Sequence, residues 1–128
     1  MRESRKFFRQ AKERLTAFAR WYFDLHLPDS SGTRKIDHFR QAAKNGADVP
    51  GLIPPNEIPP CFRHVWNLWH EVYLERDSSF SIQPLKIRDI IGWSNAFGVK
   101  LWPIEIDCLQ AIDREFVRVH HGHSKSTN

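Results

Sequence analysis

No apolar run in this sequence approaches the roughly 18 residues that a membrane span requires. Its first fifteen residues, MRESRKFFRQAKERL, are charged where a signal peptide carries its apolar segment. Both features predict a chain that stays in the cytoplasm where it is made. Cysteine is scarce: Cys61 and Cys108 each sit beside an apolar residue, and in a reducing compartment two such thiols are expected to be buried and free rather than bridged. The six glycines are scattered singly, which disfavours a phosphate-cradling loop. A P-loop, G-x-G-x-x-G, G-x-S-x-G and H-E-x-x-H are all missing. Strand-like alternation is nowhere sustained, and no repeat of fixed period occurs.

What is present is aromatic and apolar enough for one core. The 128 residues are 41% hydrophobic and 12% aromatic, with five tryptophans. That length holds one domain, or a small domain with an arm. Charge is unevenly placed: residues 1–50 hold 11 Lys and Arg against 6 Asp and Glu, and residues 51–128 hold 8 against 9. The basic front half suits nucleic acid, an acidic partner or simply a solvated helix face.

The spacing of apolar residues predicts helices. From Arg5 to Leu27, Phe8, Ala11, Leu15, Phe18, Ala19, Tyr22 and Leu25 recur at steps of three or four, widened by Phe7, Trp21 and Phe23; Pro28 and the PDSSG turn end the stretch. Residues 33–48 hold a shorter pattern in Ile36, Phe39 and Ala43, capped by Asn45 and Gly46. Pro50, Pro54, Pro55, Pro59 and Pro60 make 49–60 a stiff connector. Beyond it, Phe62, Val65, Trp66, Trp69, Val72, Tyr73 and Arg76 resume the rhythm. After the break at DSSFSIQP, Leu85 to Phe97 continue through Ile87, Ile90 and Ile91 and stop at Gly98; Pro103 opens a last helix with Ile104, Cys108, Leu109, Ile112, Phe116 and Val119 as its stripe. The expected class is all-α: about three helices over residues 60–119, preceded by an amphipathic N-terminal helix. The expected division is a basic helical arm at 1–48, a connector at 49–60, a bundle at 61–119 and a flexible tail at 120–128.

Catalytic chemistry has little to build on. His64 and His70 are six residues apart, off the i, i+4 spacing that chelates, and His120, His121 and His123 sit in a tail without a rigid scaffold. Glu71, Glu75 and Asp77, or Asp107 and Asp113, offer acid pairs, but Asp113 beside Arg114 and Glu115 beside Arg118 read as an exposed, mixed-charge helix face. The expectation is no enzyme, no metal and no cofactor. A helix-turn-helix is suggested by IRDIIGWSNAFGVKLWPIEIDCLQAI, but Pro103 falls where the recognition helix should be under way, and Glu105, Asp107, Asp113 and Glu115 would repel phosphates. The alternative function, a small nucleic-acid-binding regulator, would rest on the basic N-terminal helix alone.

Aromatic surface is the remaining clue. Trp66, Trp69, Tyr73, Trp93 and Trp102 are more ring area than a three-helix core of sixty residues hides, so at least one of them is expected to face a partner.

The stretch IPPCFRHVWNLWHEVYLERD, then IRDIIGWSNAFGV, then PIEIDCLQAIDREFV, resembles the tail assembly chaperones of long-tailed, non-contractile (siphovirus-type) bacteriophages over residues 54–119. The first fifty residues match little, and a β-rich N-terminal portion found in some members is not seen. The resemblance implies a helical protein without catalytic activity, made in the host cytoplasm and missing from the finished virion. Such proteins coat the tape measure protein and keep its helices soluble until tail tube subunits polymerise; some also exist as a longer, frameshifted form. It therefore implies the tape measure protein as partner and the tail tube protein as a second. From the helical faces alone, the expected contact residues are Trp66, Trp69, Tyr73 and Arg76, with Phe18, Trp21 and Tyr22 of the N-terminal helix as a second gripping surface or a self-association seam.

Overall fold

The computed structural model describes residues 2–76 and 81–125; the DSSF stretch with Asp77, and the last three residues of the expected tail, lie outside them. The described residues form five α-helices and no strand: α1 Arg2–His26, α2 Lys35–Lys44, α3 Arg63–Val72, α4 Ile87–Phe97 and α5 Pro103–Lys125, with 3-10 turns at Pro50–Leu52, Pro60–Phe62 and Tyr73–Glu75. The protein is all-α, and α3, α4 and α5 are the three helices expected after the connector.

Helix ends follow local chemistry. Pro60 and Pro103 sit where a missing N–H costs nothing. The Asp89 carboxylate accepts the Lys86 N–H at 3.0 Å and Glu105 accepts the Trp102 N–H at 2.7 Å, each reaching back to a donor that the first turn leaves open. Gly98 closes α4 in the left-handed region at φ 66°, a conformation that any side chain would strain.

The N-terminal helix is part of the core, which corrects its reading as an arm. Leu15, Ala19 and Phe23 of α1 join Phe62, Val65, Trp66 and Trp69, Ile90 and Trp93, and Leu109, Ile112 and Phe116 in one buried cluster. Lys12 pairs with Asp107, Arg20 with Glu115 and Asp24 with His123, so α1 and α5 run side by side in the same direction. The connector is docked as well. Trp21 Nε1 donates to the Gly51 carbonyl at 2.9 Å, and Asn56 Nδ2 to the Arg14 carbonyl at 3.0 Å. Gly51 is needed there because a Cβ would stand 2.6 Å from the Phe39 ring. The expected fraying from residue 120 is also corrected: α5 continues to Lys125, with His123 within 3.1 Å of both the Leu27 carbonyl and Asp24, and His121 3.1 Å from the Ile82 carbonyl.

Candidate partner-binding surface

Of the seven residues expected to meet a partner, Trp66 and Trp69 are buried in the core, while Phe18, Trp21, Tyr22, Tyr73 and Arg76 are half-buried. Trp66 and Trp69 are 7% and 2% exposed. Trp66 packs edge-on against Phe18 and Tyr22, with ring centroids 5.2 and 5.1 Å away, and Trp69 stacks on Tyr73 at 5.0 Å and lies 4.9 Å from Phe23. Phe18 touches Trp21 at 5.4 Å. The ridge after the prolines is therefore turned inward, and the reason is α1, which adds a wall to the core that a three-helix count left out.

Beneath these rings lies a buried charge network. Asp113 is 1% exposed; its carboxylate accepts from Trp69 Nε1 at 3.1 Å and from the Leu85 backbone N–H at 2.7 Å, and it pairs with the Arg76 guanidinium. Arg76 also donates to the carbonyls of Tyr73 and Gln83. The network thus ties the end of α3 and the lead into α4 onto α5. Glu115 is buried too, accepting from Nε and Nη2 of Arg20 at 3.2 and 3.1 Å. That hydrogen bond and the carboxylate charge raise the Arg20 pKa. These two acids correct the expectation of an exposed, mixed-charge face on α5.

Both cysteines are free, and burial pushes the Cys108 thiol up to about 12. Cys61 lines a groove of ≈980 Å³ between the start of α1 and the second proline pair. Since only the thiolate reacts, titration with Ellman's reagent at pH 8 should label at most one thiol in the native protein and two after denaturation. Two fast thiols in the folded state would contradict this burial.

The exposed apolar side chains gather chiefly around α4. Ile87, Ile91 and Phe97, expected on its buried stripe, point outward; Ile90 and Trp93 take the core side instead. Ile91 lines a groove of ≈500 Å³ with Val99, Leu101 and Ile106, and one helical turn earlier Ile87 faces Gln110 of α5. These two shallow grooves between α4 and α5, together called the channel below, are mixed in character: Ser94, Asn95 and Lys100 share the first with the apolar residues, and Lys86, Arg88 and Asp89 share the second with Ile87. On the other side of α4, Leu74, Trp93, Phe97 and Val99 line a second groove of ≈360 Å³ with Glu71 and Glu75 at its rim. Trp102, 63% exposed, is the one tryptophan whose ring lies mostly in water. The groove beside Cys61 has Phe7, Ala11, Ala17, Pro59 and Pro60 in its lining together with Gln10, Glu13, Arg14 and Asn56, so the start of α1 and the connector offer apolar surface to a partner as well.

Sequence reasoning missed the α4 edge because that helix is apolar on two sides, and periodicity alone does not say which side the other helices cover. Among the described residues no group of three or more His, Cys, Asp or Glu is placed to hold a metal ion, and no helix is long and apolar enough to cross a membrane. Helix α5, the recognition element of a helix-turn-helix reading, is buried from Cys108 to Val117 except for Gln110 and Arg114.

Fold and surface together define a small all-α protein with solvent-facing, partly apolar grooves. Residues 42–118 match the phage tail assembly chaperone family, and the chain belongs to that family. No curated protein and no solved structure matches it. The matched span contains α3, α4, most of α5 and the whole α4 edge, and excludes α1.

Proposed function

We propose that this protein is a non-enzymatic chaperone that binds the tape measure protein in the host cytoplasm, keeps it soluble while the tail tube assembles, and is left out of the virion. The observation that carries this reading is the pair of shallow grooves between α4 and α5 within the family-matched residues, one presenting Ile91, Val99, Leu101 and Ile106 and the other Ile87, with Ile87 and Ile91 both exposed. A tape measure is an extended helical chain whose apolar stripes associate indiscriminately, and a shallow channel with exposed isoleucines flanked by polar groups suits one face of such an amphipathic helix. Each contact is modest, so affinity accumulates along the client through many copies while each copy stays releasable when tube subunits arrive.

This reading moves the contact surface away from Trp66 and Trp69, whose rings are occupied inside the protein. The test is co-expression with the tape measure protein of the same phage. Native protein should keep the client in the soluble fraction and co-purify with it. The variant Ile87→Asp/Ile91→Asp changes two exposed positions, so its circular dichroism should stay native while client recovery falls by about tenfold or more. Full client recovery by a folded double variant would remove the channel from the reading.

A further inference from the structure

The groove lined by Leu74 and Phe97 differs from the channel in that its charged lining residues are all acidic. Its apolar floor of Leu74, Trp93, Phe97 and Val99 is rimmed by Glu71 and Glu75, both exposed and neither ion-paired among the described residues. The same chain carries the complementary piece. The start of α1 reads RKFFR from Arg5 to Arg9: Phe7 is 56% exposed, Phe8 is 37% exposed, and Arg5, Lys6 and Arg9 are all exposed and have no acidic partner among the described residues. Lys12 and Arg20 of the same helix, by contrast, are paired within the protein, with Asp107 and Glu115. The basic turn cannot swing into its own groove, because Phe8 rests on Phe62 at 6.0 Å and Lys12 holds the next turn to α5.

We infer that the RKFFR turn of one copy docks into the Glu71/Glu75-rimmed groove of a second copy, so that the protein self-associates through two unlike patches. The two rings would cover the Leu74 and Phe97 surface, and the flanking cations would meet the rim carboxylates. Ile87 and Ile91 stay free in this arrangement, so self-association and client binding use different faces of α4 that meet at Val99.

Sedimentation velocity on the full chain from about 10 to 500 μM tests this. Native protein should gain mass with concentration, and less so at about 500 mM salt than at about 50 mM, because exposed charges are screened. Two reversed variants, Glu71→Lys/Glu75→Lys and Arg5→Glu/Lys6→Glu/Arg9→Glu, each place like charges on both patches and should weaken association by about tenfold or more. Mixing them restores opposite charges at both contacts and should restore association. All five substitutions are at exposed positions, and circular dichroism checks that the fold is kept. A native protein that stays monomeric throughout, association indifferent to both reversals, or a mixture no stronger than its components would each overturn the inference.

Discussion

Replacing Asp113 with alanine should cost about 3–5 kcal/mol of unfolding free energy, the range for removing one partner of a buried ion pair. Against a total of roughly 5–15 kcal/mol for a domain of this kind, that is enough to leave a sizeable unfolded fraction. The carboxylate serves three groups at once: the Arg76 guanidinium, the Trp69 indole N–H and the Leu85 amide. Its loss strands a buried cation and two buried donors. Asp113→Asn should be nearly as damaging, since the amide nitrogen would turn donors toward Leu85 or Arg76. The apolar pair Arg76→Met/Asp113→Leu should recover only part of the loss. In a simple buried ion pair such a swap is often neutral, but here Trp69 and Leu85 still lack an acceptor, at about 1–3 kcal/mol for each buried unsatisfied group. Urea unfolding followed by circular dichroism measures all three. If Asp113→Ala unfolds within about half a kcal/mol of the native protein, the network contributes nothing to stability.

Trp69→Ala is expected to be as severe, about 3–5 kcal/mol, through a different cause. The ring lies among Phe23, Phe116 and Tyr73 with centroids 4.9–5.1 Å away, and its removal opens a cavity where α1, α3 and α5 meet. Trp69→Phe keeps a ring in place and loses the bond to Asp113, so its cost should be about 1–2 kcal/mol. Trp102→Ala is the control: its ring is mostly in water beside Lys100, and the change should stay within about half a kcal/mol. Equal losses at Trp69 and Trp102 would mean that the indoles are not divided between core and surface in this way. A charged residue at position 69 should unfold the bundle, so loss of client binding in such a variant would say nothing about a contact.

Gly98, Pro28 and Pro103 mark helix ends through backbone chemistry that acts locally, so the element order could be read from the chain. The family resemblance was legible for a related reason: its spaced apolar and charged positions are the core and capping positions of α3, α4 and α5. The start of α1 yielded its amphipathic pattern but not its neighbour. An apolar stripe shows that something covers a helix face; it does not name the partner.

Local periodicity and turn chemistry thus determined by themselves that this chain is all-α and in what order its helices follow one another, and the family was legible only through resemblance of the stretches between residues 54 and 119. Only tertiary packing decided that α1 completes the core, that Trp66 and Trp69 are spent inside it, that Asp113 is buried on Arg76, and that Ile87, Ile91, Phe97 and Trp102 are left facing water. Burial depends on how many walls meet at a point, and that count involves residues far apart in sequence, such as Arg20 and Glu115, which no local window contains.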